Sequence, residues 1–248
     1  MARVALEIAA NSLASALAAE AGGADRIELC ANLAEGGVTP SPGTLAMVRE
    51  RVSLPVVVLV RPRGGDFVHD ADELETMRRD VAHCAALGFE GVAIGVLTPS
   101  GDVDREACAR LIEAAGRMRV TFHRAFDRVR EREQALETVL ALGCARLLTS
   151  GGAPTAEQGV ACIAASVRQA AGRLEIIAGA GVRPANAAAI LAAARPDALH
   201  ASASALLEPH ADTSGRSILP GLEASYRQTE AAQVRALARA IARAGQGA

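Results

Sequence analysis

Short apolar runs recur along the chain and alternate with longer stretches that have helical spacing. Within the runs, hydrophobic residues tend to fall at every second position, as they do in a strand with one buried face. Between the runs, Ala, Leu and Glu recur with the period of a helix. The eight predicted strands span residues 3–9, 25–30, 54–62, 89–96, 118–124, 145–151, 174–181 and 197–203.

Helix start and stop signals separate the predicted strands from the helices. Asn11 or Ser12 can cap the first helix, and Ser41 followed by Pro42 is a typical helix start, as is Pro184. Glycines stand where helices should end, at positions 22–23, 88, 116, 143 and 172. Regular alternation of this kind predicts a parallel sheet, and eight strands in 248 residues predict an α/β fold, a single (β/α)8 barrel domain over 1–248.

The stretch 204–228 departs from the alternation. It is rich in Ser, Gly and Pro and shows no sustained period, so we expect a long irregular link before a last helix near 229–244. Loops of that length are usually functional or mobile.

The period of two within each strand also predicts which side chains enter the barrel. On the first strand, Leu6 and Ile8 should meet the outer helices, so Glu7 and Ala9 should face inward. The same rule sends inward a set of mostly polar residues: Glu28, Cys30, Arg61, Thr121, His123, His200 and Ser202. Barrel interiors are packed mainly with apolar side chains, so these groups must pair with one another or face a wet cavity.

Two explanations of this polar interior are open. One is a salt-bridge lattice of Glu7 and Glu28 with Arg61 and Arg124. The other is a functional site, which is favoured because most of these groups come late in their strands, at the end of the barrel where sites are built.

A turn rich in Arg and Gly follows the third predicted strand, and turns rich in Gly or Ser stand at the ends of the sixth, seventh and eighth. The motifs are "RPRGGDF" (61–67), "TSGG" (149–152), "GAGV" (179–182) and "HASAS" (200–204). Such turns expose backbone N–H groups that can hold an anion. The predicted anion-binding residues are Arg61, Arg63, Arg124, Gly151, Gly179, Gly181 and Ser202.

These residues suit an enzyme that acts on a small anionic or phosphorylated metabolite. His123 would be a general acid or base, and Glu7 and Glu28 would be a base or hard ligands for Mg²⁺ or Mn²⁺. The chain has no Lys, so Schiff-base chemistry on a side-chain amine is excluded.

Composition and charge exclude several classes of partner and cofactor. The net charge is −2 and no basic stretch interleaves with aromatic residues, so nucleic acid is not expected. Neither a signal peptide nor an apolar stretch long enough for a bilayer is visible, which predicts a soluble cytoplasmic protein with no membrane partner. The five cysteines are scattered and odd in number, so disulfides and structural zinc are not expected.

The motifs also resemble those of a known family. "GADRIELC", "EGGVTPS", "RPRGGDF", "TFHRAFD", "LLTSGG" and "GAGV" follow in the order and rough spacing of the CutC family, over residues 3 to 204. The resemblance implies a (β/α)8 barrel, a cytoplasmic location, a homo-oligomer (dimer or tetramer), and a role in copper homeostasis with Cu(I) binding. No settled enzymatic activity comes with it.

One departure from the family bears on copper. Many relatives carry a Cys two residues after the Glu of the first strand, where this chain has Ala9. Cu(I) prefers thiolate ligands, so a copper(I) site here would rest on Cys30, with His123 and His200 as the remaining metal ligands. A divalent metal, or none, is the alternative, and a barrel that has lost its chemistry and serves as a scaffold is a third hypothesis.

Overall fold

Eight parallel strands form a closed barrel in the computed structural model, which describes residues 3–208 and 225–246. The strands are β1 (Ala5–Ala10), β2 (Arg26–Leu29), β3 (Val56–Leu59), β4 (Gly91–Ile94), β5 (Arg119–Phe122), β6 (Arg146–Thr149), β7 (Glu175–Ala178) and β8 (Ala198–Ala201). Each strand pairs with the next, and β8 pairs with β1 to close the barrel. The predicted (β/α)8 barrel is confirmed.

Helices follow the strands and begin at the expected capping residues. They are α1 (Leu13–Gly22), α2 (Pro42–Arg51), α3 (Ala71–Ala86), α4 (Arg105–Ala115), α5 (Arg132–Ala141), α6 (Val160–Ala170), α7 (Pro184–Ala194) and α8 (Ala231–Gln246). The Ser12 and Ser41 hydroxyls accept hydrogen bonds from backbone amides of α1 and α2, and Pro184 is the first residue of α7. No helix in the described part of the chain combines the length and hydropathy that crossing a membrane needs.

The stretch 204–228 is more regular at its two ends than the sequence predicts. Strand β9 (Ser204–Leu207) pairs antiparallel with β10 (Tyr226–Thr229), and residues 209–224 lie outside the described residues. The Thr229 amide donates to the Ser15 hydroxyl, which ties β10 to α1. The prediction of an irregular link was wrong at these ends, because strands of four residues are too short to show a clear alternation of apolar and polar positions.

The inward and outward faces of the strands are as the alternation predicts. Outward residues such as Leu6, Ile8 and Phe122 belong to the large core between barrel and helices. Inside the barrel, two small apolar clusters hold the inward side chains together. One contains Cys30, Val57, Leu59 and Ala93, and the other contains Leu148, Ile177 and Ala198.

Ion pairs fill the end of the barrel where the strands begin, but with other partners than predicted. Arg26 contacts Glu7 and Glu175, and Arg146 contacts Glu175 and Glu90. Neither Arg61 nor Arg124 pairs with Glu7 or Glu28, so the salt-bridge lattice that was the less favoured explanation of the polar interior is not formed by those four residues. The alternation that sends Glu28 inward also sends Arg26 inward, directly beside Glu7 in the strand register.

Candidate functional site

A cavity of about 420 Å³ opens at the mouth of the barrel, the end where the strands finish. We call it the mouth cavity. Glu28, His123 and His200 line it from the strand ends, and the loops after β5, β7 and β8 add Arg124, Gly181 and Ser202. Arg61 lines the cavity too, so three residues predicted as catalytic or metal-binding and four predicted as anion-binding share it.

Glu7, His200 and Glu28 form a chain of interacting groups that ends in the mouth cavity. His200 Nδ1 lies 2.8 Å from Glu7 Oε1, and His200 Nε2 lies 3.7 Å from Glu28 Oε2. Arg26 Nε donates a hydrogen bond to Glu7 Oε2, the other carboxylate oxygen. Glu7 is therefore a buried support for His200, while Glu28 faces the cavity.

Burial and charge shift the pKa values of the two carboxyls in opposite directions. Burial acts to raise the pKa of Glu7, but the hydrogen bond and charge of His200 and the charge of Arg26 lower it to about 2. Burial, with the nearby negative charge of Glu7, raises the pKa of Glu28 to about 7 against the attraction of His200. Burial also acts to lower the pKa of His200, but Glu28 and Glu7 raise it more.

Glu28 is a carboxyl with few partners for a buried group. The residue is 6% exposed, and no described residue donates a hydrogen bond to its side chain. A buried carboxylate is costly unless a proton, a cation or a ligand compensates it. At neutral pH this carboxyl is therefore poised to take up or release a proton.

His123 faces the mouth cavity as a neutral hydrogen-bond donor. Its Nδ1 accepts a hydrogen bond of 3.2 Å from the Ala125 amide, so Nε2 carries the ring hydrogen. Nε2 is buried and has no partner among the described residues. Burial, followed by the charge of Arg61, lowers the pKa of His123 to about 3, so the ring stays neutral at physiological pH.

Gly95 makes room for this imidazole. A Cβ at position 95 would lie 2.6 Å from His123 Cε1 and Nδ1. Only Gly therefore allows the ring to sit against β4 in this orientation.

The possible metal ligands in the described residues are Glu7, Glu28 and His200, whose ligand atoms lie within 4.8 Å of one another. Both oxygens of Glu7 already contact His200 and Arg26, which leaves Glu28 and His200 Nε2 for an ion. Oxygen and imidazole donors suit divalent ions better than Cu(I).

Cys30 does not join this group. Its thiol donates to the Ala10 carbonyl at 3.6 Å, and burial raises its pKa well above the ordinary value. The described residues do not bring Cys30, His123 and His200 together as one ligand set. A thiolate site for copper therefore fits these residues poorly.

The Arg residues of "RPRGGDF" bind their own loops in this structure. Arg61 donates to the carbonyls of Glu35, Gly37 and Gly65 at 2.7 to 3.0 Å. Arg63 pairs with Glu73 and Asp66. Both guanidiniums, predicted to hold an anion, are engaged in ordering the loop after β3.

The "TSGG" turn holds an anion that the chain itself supplies. The Asp127 carboxylate accepts hydrogen bonds from the Thr149 hydroxyl (2.6 Å), the Ser150 amide (2.9 Å) and the Gly152 amide (3.0 Å). Arg124 donates to the same carboxylate at 2.8 Å. Gly151 lies inside this turn, and its amide donates to the Thr149 hydroxyl.

The turns after β7 and β8 supply the remaining predicted anion-binding residues. Gly181 and Ser202 line the mouth cavity. Gly179 lies behind them: its amide donates to the Thr149 carbonyl, and a Cβ there would lie 2.7 Å from Leu148 Cδ1 and 3.3 Å from His200 Cβ. Gly179 therefore makes space for the Leu148 side chain and lets β8 approach closely at His200.

Sequence reasoning missed Arg26, Asp127 and Arg128. The inward position of Arg26 follows from the strand period. Asp127 stands in the "TFHRAFD" motif, but its role depends on a turn more than 20 residues away. Arg128, which lines the mouth cavity, carries no local signal that separates it from the other exposed Arg residues.

Comparison with known proteins identifies the family. The CutC family model matches residues 4–205. A CutC family protein from Chromobacterium violaceum is 49% identical over 243 residues, covering 96% of this chain and 98% of the relative. One from Xanthomonas campestris is 50% identical over 234 residues, covering 94% and 96%.

Solved structures agree with the barrel. A CutC protein from Streptococcus agalactiae, which carries a provisional copper-homeostasis name, superposes with a TM-score of 0.77 and 30% identity. That match covers 80% of this chain and 98% of the other. Phosphoribosylanthranilate isomerase from Thermotoga maritima superposes with a TM-score of 0.57 at 15% identity over 96% and 98% of the two chains, which shows the fold alone. The family match and the relatives, which cover nearly the whole chain, show that this protein belongs to the CutC family.

Proposed function

We propose that this chain is an enzyme that moves a proton on a small anionic metabolite, at a carbon next to a carbonyl group. The observation that carries the proposal is the pairing in the mouth cavity of Glu28, whose pKa is about 7, with His123, whose imidazole is neutral. Groups whose environments push their pKa values apart are typical of acid–base sites.

Each group has a distinct role in the proposed reaction. The Glu28 carboxylate takes the proton from the carbon, and the electron pair of the broken C–H bond moves to the carbonyl oxygen as an enolate forms. His123 Nε2–H donates a hydrogen bond to that oxygen as its charge develops. Glu28 then returns the proton to carbon, which regenerates the carboxylate.

The groups behind the cavity keep this arrangement in place. Glu7 fixes the orientation of His200 through the Nδ1 hydrogen bond, as an orienting carboxylate does in other acid–base sites. Glu28 and Glu7 raise the pKa of His200, and when the ring is protonated its Nε2–H group, 3.7 Å from Glu28 Oε2, stabilises the ionised form of Glu28. Arg26 keeps Glu7 ionised, because its positive charge favours the carboxylate.

Solvent deuterium exchange tests the proposal on many candidate substrates at once. The protein is incubated in deuterated buffer with a panel of small hydroxy ketones, hydroxy aldehydes and 2-oxo acids, with and without a phosphate group. Loss of the C–H signal is followed by proton NMR. We expect enzyme-dependent exchange in at least one compound, and its rate should rise with pH through about 7 as Glu28 loses its proton.

Variants identify the base. Glu28→Gln should reduce the exchange to background, while Glu28→Asp should keep part of it. Glu35→Gln is the matched control, because Glu35 lines the same cavity but is exposed. Equal exchange by wild type and Glu28→Gln would contradict the proposal.

Copper handling is the second candidate function, and the provisional name of the Streptococcus agalactiae relative favours it. If Cu(I) binds this chain, Cys30, the thiol on the inward strand face, should dominate the site, and Cys30→Ser should then abolish most of the binding. Cys84→Ser and Cys108→Ser are the controls, and Ala9→Cys should tighten binding by adding a second thiolate. Equal affinity of wild type and Cys30→Ser, measured by competition with a Cu(I) chelator, would remove Cys30 from any copper role.

A further inference from the structure

The loop that follows β3 has an unusual hydrogen-bond pattern. All five backbone carbonyls of residues 64–68 accept hydrogen bonds from the guanidinium of Arg61 or Arg63, or from the Leu97 amide. The amides of residues 64–69, in contrast, donate no hydrogen bond to any described residue. We call residues 64–69 the donor loop.

Peptide geometry makes this pattern directional. In a trans peptide the N–H of one residue points opposite to the C=O of the residue before it, and no cis peptide is present in the described chain. The two guanidiniums and the Leu97 amide occupy these carbonyls. Each amide of residues 65–69 therefore points away from the donor that holds the preceding carbonyl, and unpaired backbone N–H groups of this kind can hold an anion.

A second cavity of about 380 Å³ lies against this loop. We call it the loop cavity. Arg128 lines it together with two segments, one of residues 65–68 and the other of Leu97, Thr98, Pro99 and Gly101. Phe67 and Arg128 also line the mouth cavity, so the two cavities adjoin.

Arg128 is the cation that this cavity offers to a ligand. Its side chain is exposed, and it makes no hydrogen bond or ion pair with another described residue. The neighbouring Arg130, by contrast, pairs with Asp102 at 3.1 Å. The Asp66 carboxylate on the cavity wall is paired with Arg63 at 3.1 Å, which reduces its repulsion of an anion.

We propose that the loop cavity is an anion subsite, in which the amides of the donor loop and the guanidinium of Arg128 hold an oxyanion group of the substrate, a phosphate or a carboxylate. Arg61 and Arg63 act indirectly, because they fix the carbonyls and so aim the amides. Charged hydrogen bonds of this kind are among the stronger ones available to a ligand.

The subsite extends the proposed function and depends on it in one respect: the bound anion is part of a substrate only if the proposed reaction takes place. A ligand anchored at Arg128 can reach past Phe67 into the mouth cavity, where Glu28 and His123 lie. The favoured substrate is then a carbonyl compound with its anionic group a few bonds from the reacting carbon. Binding of the anion itself needs no catalysis and can be tested separately.

Amide NMR of the full chain, titrated with inorganic phosphate at constant ionic strength, tests the subsite. The amides of residues 65–69 should shift saturably, and chloride at the same ionic strength should not reproduce the shifts. Arg128→Gln should weaken the phosphate Kd at least tenfold, or about 1.4 kcal/mol. Arg130→Gln, the matched control, should change it less than about twofold.

Parallel titrations with glycolate and 2-phosphoglycolate distinguish a carboxylate site from a phosphate site by which one shifts these amides at lower concentration. Equal Kd values in wild type, Arg128→Gln and Arg130→Gln would overturn the proposal, as would shifts confined to residues 180–182. Glu28→Gln should bind phosphate as wild type does. Absence of saturable phosphate binding by the wild-type protein would therefore refute the subsite alone, whereas exchange that persists in Glu28→Gln with intact phosphate binding would refute the catalytic proposal alone.

Discussion

Replacing Glu28 with Gln should make the protein more stable at alkaline pH while removing its proposed base. The Glu28 carboxyl is buried beside the negative charge of Glu7, and its pKa is raised from 4.5 to about 7. A group with a raised folded-state pKa adds stability below its unfolded pKa, and that stability is lost as pH rises through the folded value. The loss in wild type therefore falls between pH 4.5 and somewhat above 7.

The shift sets the size of the effect. It is about 2.5 pKa units, and each unit corresponds to about 1.36 kcal/mol, which gives up to about 3 kcal/mol. Gln has nearly the shape of a protonated Glu but does not ionise. The variant should thus match wild type to within about 1 kcal/mol at pH 5, and it should exceed it by up to ~3 kcal/mol at pH 9.

Urea denaturation at pH 5, 7 and 9 measures this difference directly. Glu35→Gln is the control, because it makes the same substitution at an exposed residue of the same cavity, where a surface change should alter the free energy of unfolding by less than about 0.5 kcal/mol. A Glu28→Gln difference that is the same at all three pH values would refute the reasoning. A gain in stability together with a loss of exchange activity is the combination expected of a functional site.

The other predictions concern the supports of the site. Arg26→Met leaves Glu7 buried without its cation and should cost roughly 3–5 kcal/mol in urea denaturation, whereas Arg3→Ala, which removes an exposed pair with Asp25, should cost less than about 1 kcal/mol. Asp127→Asn keeps the shape but removes the charge from the "TSGG" turn, so it should cost roughly 2–3 kcal/mol, and unchanged stability would mean that the carboxylate does not organise the turn. Gly95→Ala puts a methyl group 2.6 Å from the His123 ring and should lower deuterium exchange at least ~10-fold while circular dichroism keeps its barrel signal. We expect a homo-oligomer from the family resemblance, and light scattering should give the mass of a dimer or a tetramer, whereas a monomer mass would contradict this.

The barrel and its inward side chains could be predicted because both follow from local periods. Glu7, Glu28 and His200 stand on alternating strand positions, and the register between neighbouring strands then brings them together. The same alternation predicts that Arg26 faces inward, although this residue is absent from the inward polar groups predicted from the sequence.

The roles of the loop residues could not be predicted, because they depend on loop conformation. Arg61 and Arg63 look like free cations in the sequence, yet backbone carbonyls and acidic side chains occupy them. Asp127 binds a turn that follows another strand, so its partners are set by the closed barrel. The residues that lie close in space decide whether an Arg is paired. Arg128 has no such partner within the described chain.

The protonation states of Glu28 and His123 are the centre of the proposed mechanism, and an NMR titration of the wild-type protein tests them most directly. Carbon-13 labelling reports the Glu28 carboxyl, and nitrogen-15 labelling reports the two ring nitrogens of His123, with Glu28→Gln and His123→Gln used for assignment. We predict that Glu28 titrates with a midpoint near 7 and that His123 stays neutral, with its hydrogen on Nε2, from pH 5 to pH 8. A Glu28 midpoint near its ordinary value of 4.5, or a His123 ring that gains a proton near 6.5, would contradict the mechanism.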